Sequence, residues 1–123
     1  MFRFLIYLLS AFVVILGSLS QAKATPATQL ELSYKDQMIH IRANHPSDHL
    51  DSHYIQRVVV MKNLKEKQYF YFPRQTSANQ FKADLNYPAN PGDYLEIEIY
   101  CSQGGVARGK IDVTEQETRK EPK

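Results

Sequence analysis

YLEIEIYC, residues 94–101, alternates apolar and polar side chains from end to end. Leu95, Ile97, Ile99 and Cys101 fall on one face, and Glu96 and Glu98 fall on the other. A period of two is that of a β-strand with one face toward a core and one toward water. A helix would scatter the same isoleucines around its circumference. The alternation therefore places the Cys101 side chain on the core-facing side, at the strand's end.

Outward from this strand the chain reads the same way. YPANPGD (87–93) is a turn cluster on its N-terminal side, and Gly104-Gly105 turns the chain into VARGKIDV (106–113) on the other. Upstream, QFKADL (80–85) sets Phe81, Ala83 and Leu85 on one face, and KQYFYF (67–72) is stopped by Pro73. YIQRVVVM (54–61) is rich in β-branched residues, as strands are. QMIHIRA (37–43) opposes Ile39 and Ile41 to Met38, His40 and Arg42, so His40 is expected to point away from the apolar face. QLELS (29–33) carries Leu30 and Leu32 on one face and is joined to the next strand by a turn at Tyr34-Lys35-Asp36-Gln37. Seven short strands separated by turn signals, with no long helical pattern, predict an all-β fold: an antiparallel, immunoglobulin-like β-sandwich.

The first 24 residues belong to a different category. Arg3 precedes an almost wholly apolar run, Phe4 to Leu16, and GSLSQAKA follows, ending in Ala22-Lys23-Ala24. This is the pattern of a secretory signal peptide with a small-x-small cleavage site, cut after Ala24. The run is shorter than the roughly 18–20 residues an uncleaved anchor needs to span a bilayer. The mature domain is then 25–113, exported to the periplasm or secreted, with no membrane attachment after cleavage. The tail from Thr114 to Lys123 is highly charged and is expected to be disordered. Arg3 and Lys23 leave with the signal, so 15 basic residues become 13, against 13 acidic ones. A balanced domain gives no electrostatic reason to expect nucleic acid as a partner. There is no internal repeat, no glycine-rich phosphate loop and no G-x-S-x-G nucleophile elbow.

Chemistry concentrates in two stretches. HPSDHLDSHYI (45–55) holds three of the four histidines, His45, His49 and His53, and Cys101 is the single cysteine. One cysteine cannot close an intramolecular disulfide; it is a ligand, a reactive thiol, an intermolecular bridge, or a small buried apolar residue. Asn44 can cap a helical turn and Pro46 suits its first position, which would stack His45, His49 and His53 on one face. Imidazole and thiolate together suit zinc, copper and iron, whereas calcium and magnesium want oxygen. The alternative is a polar loop of solvated imidazoles among Ser47, Asp48, Asp51 and Ser52.

Read in order, the two stretches resemble the iron-binding domain of desulfoferrodoxin and neelaredoxin, the superoxide reductases. That family has HPM-x-x-x-HYI, an aromatic strand and a phenylalanine strand, then YCN-x-HG. The corresponding residues are His45-Pro46, His53-Tyr54-Ile55, Phe81, Tyr100-Cys101-Ser102 and Gly105, within a span of about 38–113. The resemblance implies an immunoglobulin-like sandwich and a mononuclear non-haem iron. Four imidazoles and an axial thiolate hold that iron, and a sixth position is open to superoxide. Carried over, His45 and His53 are equatorial ligands and Cys101 the axial one. The family's last histidine falls on Gly104, and its N-terminal ligand falls in TPATQLEL, which has no histidine. The lysine and glutamate preceding that ligand have no counterpart. The first loop is two residues longer, and the insertion brings in His49. The candidate ligands are thus His45, His49, His53 and Cys101, with His40 a further one if its strand twists toward the site. Iron is the metal implied; zinc or copper suits a His3Cys set, and a degenerate site would hold none. A reductase outside the cytoplasm would also need a redox donor as partner.

A second resemblance is to the Z subunit of the bacterial sulfur-oxidising carrier complex, a small β-sandwich that binds no metal and pairs with a β-sandwich partner protein. His45-Pro46, His53-Tyr54-Ile55 and Gly92-Asp93-Tyr94-Leu95 carry it. That reading gives Cys101 no role, and the two are separated by Cys101 and His49: a metal site needs both near His45 and His53, whereas a pairing module is indifferent to them.

Overall fold

Strand β6 (Tyr94–Cys101) buries every second side chain in the computed structural model, which describes residues 25–115. Leu95, Ile97 and Ile99 have no solvent exposure and Cys101 has 3%. Each aliphatic side chain buried this way contributes about 1.5–3 kcal/mol, and a helix could not bury all of them against one surface. The expected signal peptide, residues 1–24, and residues 116–123 of the charged tail lie outside the described residues.

Six further strands join β6: β1 (Thr28–Lys35), β2 (Met38–Asn44), β3 (Ile55–Lys62), β4 (Glu66–Tyr71), β5 (Gln80–Asn86) and β7 (Val106–Asp112). All pair antiparallel, in a three-stranded sheet ordered β1-β2-β5 and a four-stranded sheet ordered β4-β3-β6-β7. The core lies between them. Ile39, Ile41 and Ala43 of β2 and Phe81, Ala83 and Leu85 of β5 meet Ile55, Val58 and Val60 of β3 and the apolar face of β6. At one edge β1 closes over β7: a Cβ on Gly109 would fall 2.5 Å from Leu32 Cδ1. A side chain at 109 would push aside the ends of the Leu30 and Leu32 side chains that lie over β7 there.

Strand ends differ from the expected ones by at most two residues. The largest difference is in β1, which runs on to Lys35, so the turn to β2 is Asp36-Gln37 alone. Both have positive φ, 55° and 62°, the conformation that a two-residue hairpin turn matching the strands' right-handed twist demands. Tyr34 is thereby a strand residue, 1% exposed, and its hydroxyl donates to the Tyr87 carbonyl at 2.6 Å. Tyr87 directly follows β5, so this bond ties β1 to the start of the turn cluster that leads to β6.

Candidate metal centre

Three inward-facing series end at the same edge of the sandwich. The buried series of β2, Ile39, Ile41 and Ala43, continues with the same parity to His45, which is 1% exposed. On β6 the series ends in Cys101. On β3 it begins at Ile55, two residues after His53, and Ile55 is the cross-strand partner of Cys101. Strand parity and one register thus bring together residues 56 positions apart in the chain.

The loop between β2 and β3 does not form the helical turn expected from Asn44 and Pro46. The His45 N–H donates to the Asn79 carbonyl at 3.0 Å and the Ser47 N–H to Ala78 at 2.7 Å. These bonds carry the β2–β5 pairing past the strand ends and hold the chain extended. A turn forms later, where the N–H groups of Ser52 and His53 reach the His49 carbonyl at 3.1 and 2.7 Å. The loop is then stapled to β6. The Ser102 N–H donates to Tyr54 O at 2.8 Å, and the Ser102 hydroxyl accepts from the Tyr54 N–H and donates to Ser52 O, both at 3.0 Å. The Ser47 hydroxyl donates to the His53 carbonyl.

Each of His45, His53 and Cys101 presents a ligating atom, and these atoms lie within 4.8 Å of one another. The two imidazoles meet edge to face, centroids 4.9 Å apart. Donors sharing one four-coordinate ion, with bonds of about 2.0–2.3 Å, sit about 3.3–3.8 Å apart. Small side-chain rotations bridge that difference, so the trio is close enough to hold a metal ion.

Gln75, 2% exposed, orients His45. Its amide nitrogen donates to the carbonyls of His45 at 2.8 Å and Ser77 at 2.7 Å, which fixes its oxygen toward His45 Nδ1, 2.8 Å away. Nδ1 is therefore the nitrogen carrying the proton, and Nε2 is the nitrogen left to ligate. Buttressing of a ligand imidazole through its far nitrogen is a recurrent feature of metal sites. Nothing in the polar stretch PRQTSANQ (73–80) marks Gln75 for this role in the sequence.

His49 is exposed and stands outside the trio. His40 has the opposite parity on β2: its Nδ1 lies 2.6 Å from Asp84 Oδ1 on the outer face of the sheet, directed away from the site. Among the described residues two imidazoles and one cysteine sulfur converge, not four imidazoles and a sulfur. Thr25, which no sequence signal marked as a ligand neighbour, lies against all three. Its hydroxyl is 2.7 Å from His53 Nε2 and 3.3 Å from Cys101 Sγ, and its carbonyl is 3.1 Å from His45 Nε2. The chain matches no model of a known protein family and no curated protein.

Proposed function

We propose that this chain is an exported metal-binding β-sandwich, similar to the iron domain of the superoxide reductases, that holds one transition-metal ion on His45, His53 and Cys101. The convergence of these three side chains at one end of the sandwich carries the reading. A thiolate with two imidazoles is a donor set for borderline and soft ions, and zinc or copper suits it directly. The three donors do not fit the five-donor iron of the family, so no step of superoxide reduction is derived from them. Bound there, an ion would supply Lewis acidity or one-electron chemistry. The protein's own contribution is to fix His45 through Gln75, to hold Cys101 in the core and to keep water from most of the site.

Elemental analysis of untagged protein, with Cys101→Ala as control, tests the reading. Near-stoichiometric iron, lost in the control, would call for a superoxide assay; zinc or copper, lost in the control, would establish metal binding with a different ion. A metal-free protein with its fold intact would sink the proposal and favour a partner-binding module like the sulfur-carrier Z subunit. One observation favours that second reading. Edge strand β4 presents Tyr69 and Tyr71, stacked with centroids 6.5 Å apart and 49% and 71% exposed, and an aromatic edge is a place where another sheet can add.

A further inference from the structure

We propose that Thr25 is the fourth ligand residue of this site, bound through its hydroxyl oxygen. The inference rests on the metal reading above and goes beyond it, because no histidine replaces the imidazoles that the described residues lack. Two independent features support it.

The first is position. The Thr25 hydroxyl lies in hydrogen-bonding range of two of the three ligands, His53 Nε2 and Cys101 Sγ, while the same residue's carbonyl faces the third. Thr25 is held there from both sides. Its N–H reaches Gly104 O at 3.4 Å, and Pro26 lies so close to Gly105 that a Cβ on that glycine would fall 2.8 Å from the proline nitrogen.

The second is the hydrogen bonding of His45. A neutral imidazole has one N–H, and Gln75 takes it at Nδ1. The lone pair of Nε2 then faces a carbonyl oxygen 3.1 Å away, in a residue 1% exposed. Two acceptors that close in a buried site need a positive centre between them, either a second proton or a metal ion. A cation bound beside Thr25 would turn that contact from repulsive to attractive. With the hydroxyl in the fourth position the set becomes two nitrogens, one sulfur and one oxygen, a closed four-coordinate site.

Thr25 is also the residue that follows the expected cleavage site, so tag remnants at a trimmed terminus would lie against the ligands. The test therefore uses the untagged full chain expressed with its leader, its amino terminus fixed by intact mass, and Co2+ as a visible-absorption probe. Wild-type protein should bind Co2+ with intense four-coordinate bands. Thr25→Val, which keeps the shape and removes the hydroxyl, should bind at least about tenfold more weakly with shifted bands, and Thr25→Ser should restore both.

Unchanged affinity and bands in Thr25→Val would overturn the inference while leaving His45, His53 and Cys101 as the site. Weakened binding that Thr25→Ser does not restore would assign the threonine a packing role and overturn it too. No uptake by wild type, or equal uptake by Cys101→Ala, would overturn the metal reading and this inference with it.

Discussion

Ile55 and Cys101 stand opposite each other where β3 meets β6, and the register shifts between Ile55 and Arg57. A one-residue slip would turn the Cys101 side chain to the outer face. The pairing therefore decides whether the Cys101 sulfur faces the site at all. Cys101 does two separable things: its backbone closes the turn with Gly104 and Gly105, and its sulfur faces His53 through Thr25. Cys101→Ala should keep the β-sheet circular dichroism, lose about 1 kcal/mol of stability for the smaller side chain, and abolish sulfur-to-metal charge-transfer absorption with Cu2+ or Co2+. Charge-transfer bands surviving in the alanine protein would show that the sulfur is not a ligand.

Gln75 offers a test that leaves all three ligands intact. Replacing it with leucine removes the acceptor of the His45 N–H and leaves the carbonyls of His45 and Ser77 without its donor. Buried groups stripped of a partner cost about 1–3 kcal/mol each where water cannot replace it. Gln75→Leu should therefore lower stability by about 2–4 kcal/mol in urea unfolding and weaken metal binding about 10–100-fold through loss of ligand orientation. Unaltered metal affinity in a destabilised protein would make Gln75 a structural residue only.

Much of this is legible in the sequence. YLEIEIYC keeps strict parity to its last residue, so the inward direction of Cys101 is read from alternation alone; the same parity carries MIHIRANH (38–45) to His45, but the helical turn expected after Asn44 hid it. His49 could not be placed the same way. Its position depends on where the loop leaves the extended conformation, and that is set by Asn79 and Ala78, some thirty residues downstream. Gln75 and Thr25 were invisible because neither belongs to a periodic element. Each reaches the site by lying across the end of the sandwich, a consequence of how the sheets stack rather than of any local pattern.

Away from the site, the buried phenols of Tyr34 and Tyr87 make stability depend on pH at the alkaline end. Burial pushes both phenolic hydroxyls above their usual value near 10. An unfolded chain then releases these protons at lower pH than the folded one, so the folded state binds more protons over that window. Stability is fully present below about pH 10 and falls as pH rises through the folded-state values. Tyr34→Phe should cost about 1 kcal/mol at pH 7 for the lost hydrogen bond. It should also flatten the decline above pH 10. Denaturant midpoints from pH 8 to 11 would check this, and equal slopes in the two proteins would refute the role given to Tyr34.

Adjacent glycines separate backbone conformation from contact. Gly104 and Gly105 both have positive φ, 98° and 96°, but a Cβ on Gly104 meets nothing within 4 Å, whereas one on Gly105 meets backbone atoms of Pro26 at 2.8 and 3.1 Å. Alanine at either position pays for the left-handed conformation, about 1 kcal/mol. At 105 the chain must also move Pro26, and Thr25 moves with it because the two are covalently joined. Gly104→Ala should therefore lower Tm by about 4–8 °C with metal affinity nearly unchanged. Gly105→Ala should lower it by roughly twice as much and weaken metal binding as well. If both variants shift Tm alike and bind metal alike, the approach of Pro26 to Gly105 is not what holds Thr25 against the ligands. Loss of affinity at 105 alone would tie the Thr25–Pro26 segment to the chemistry at that end of the sandwich.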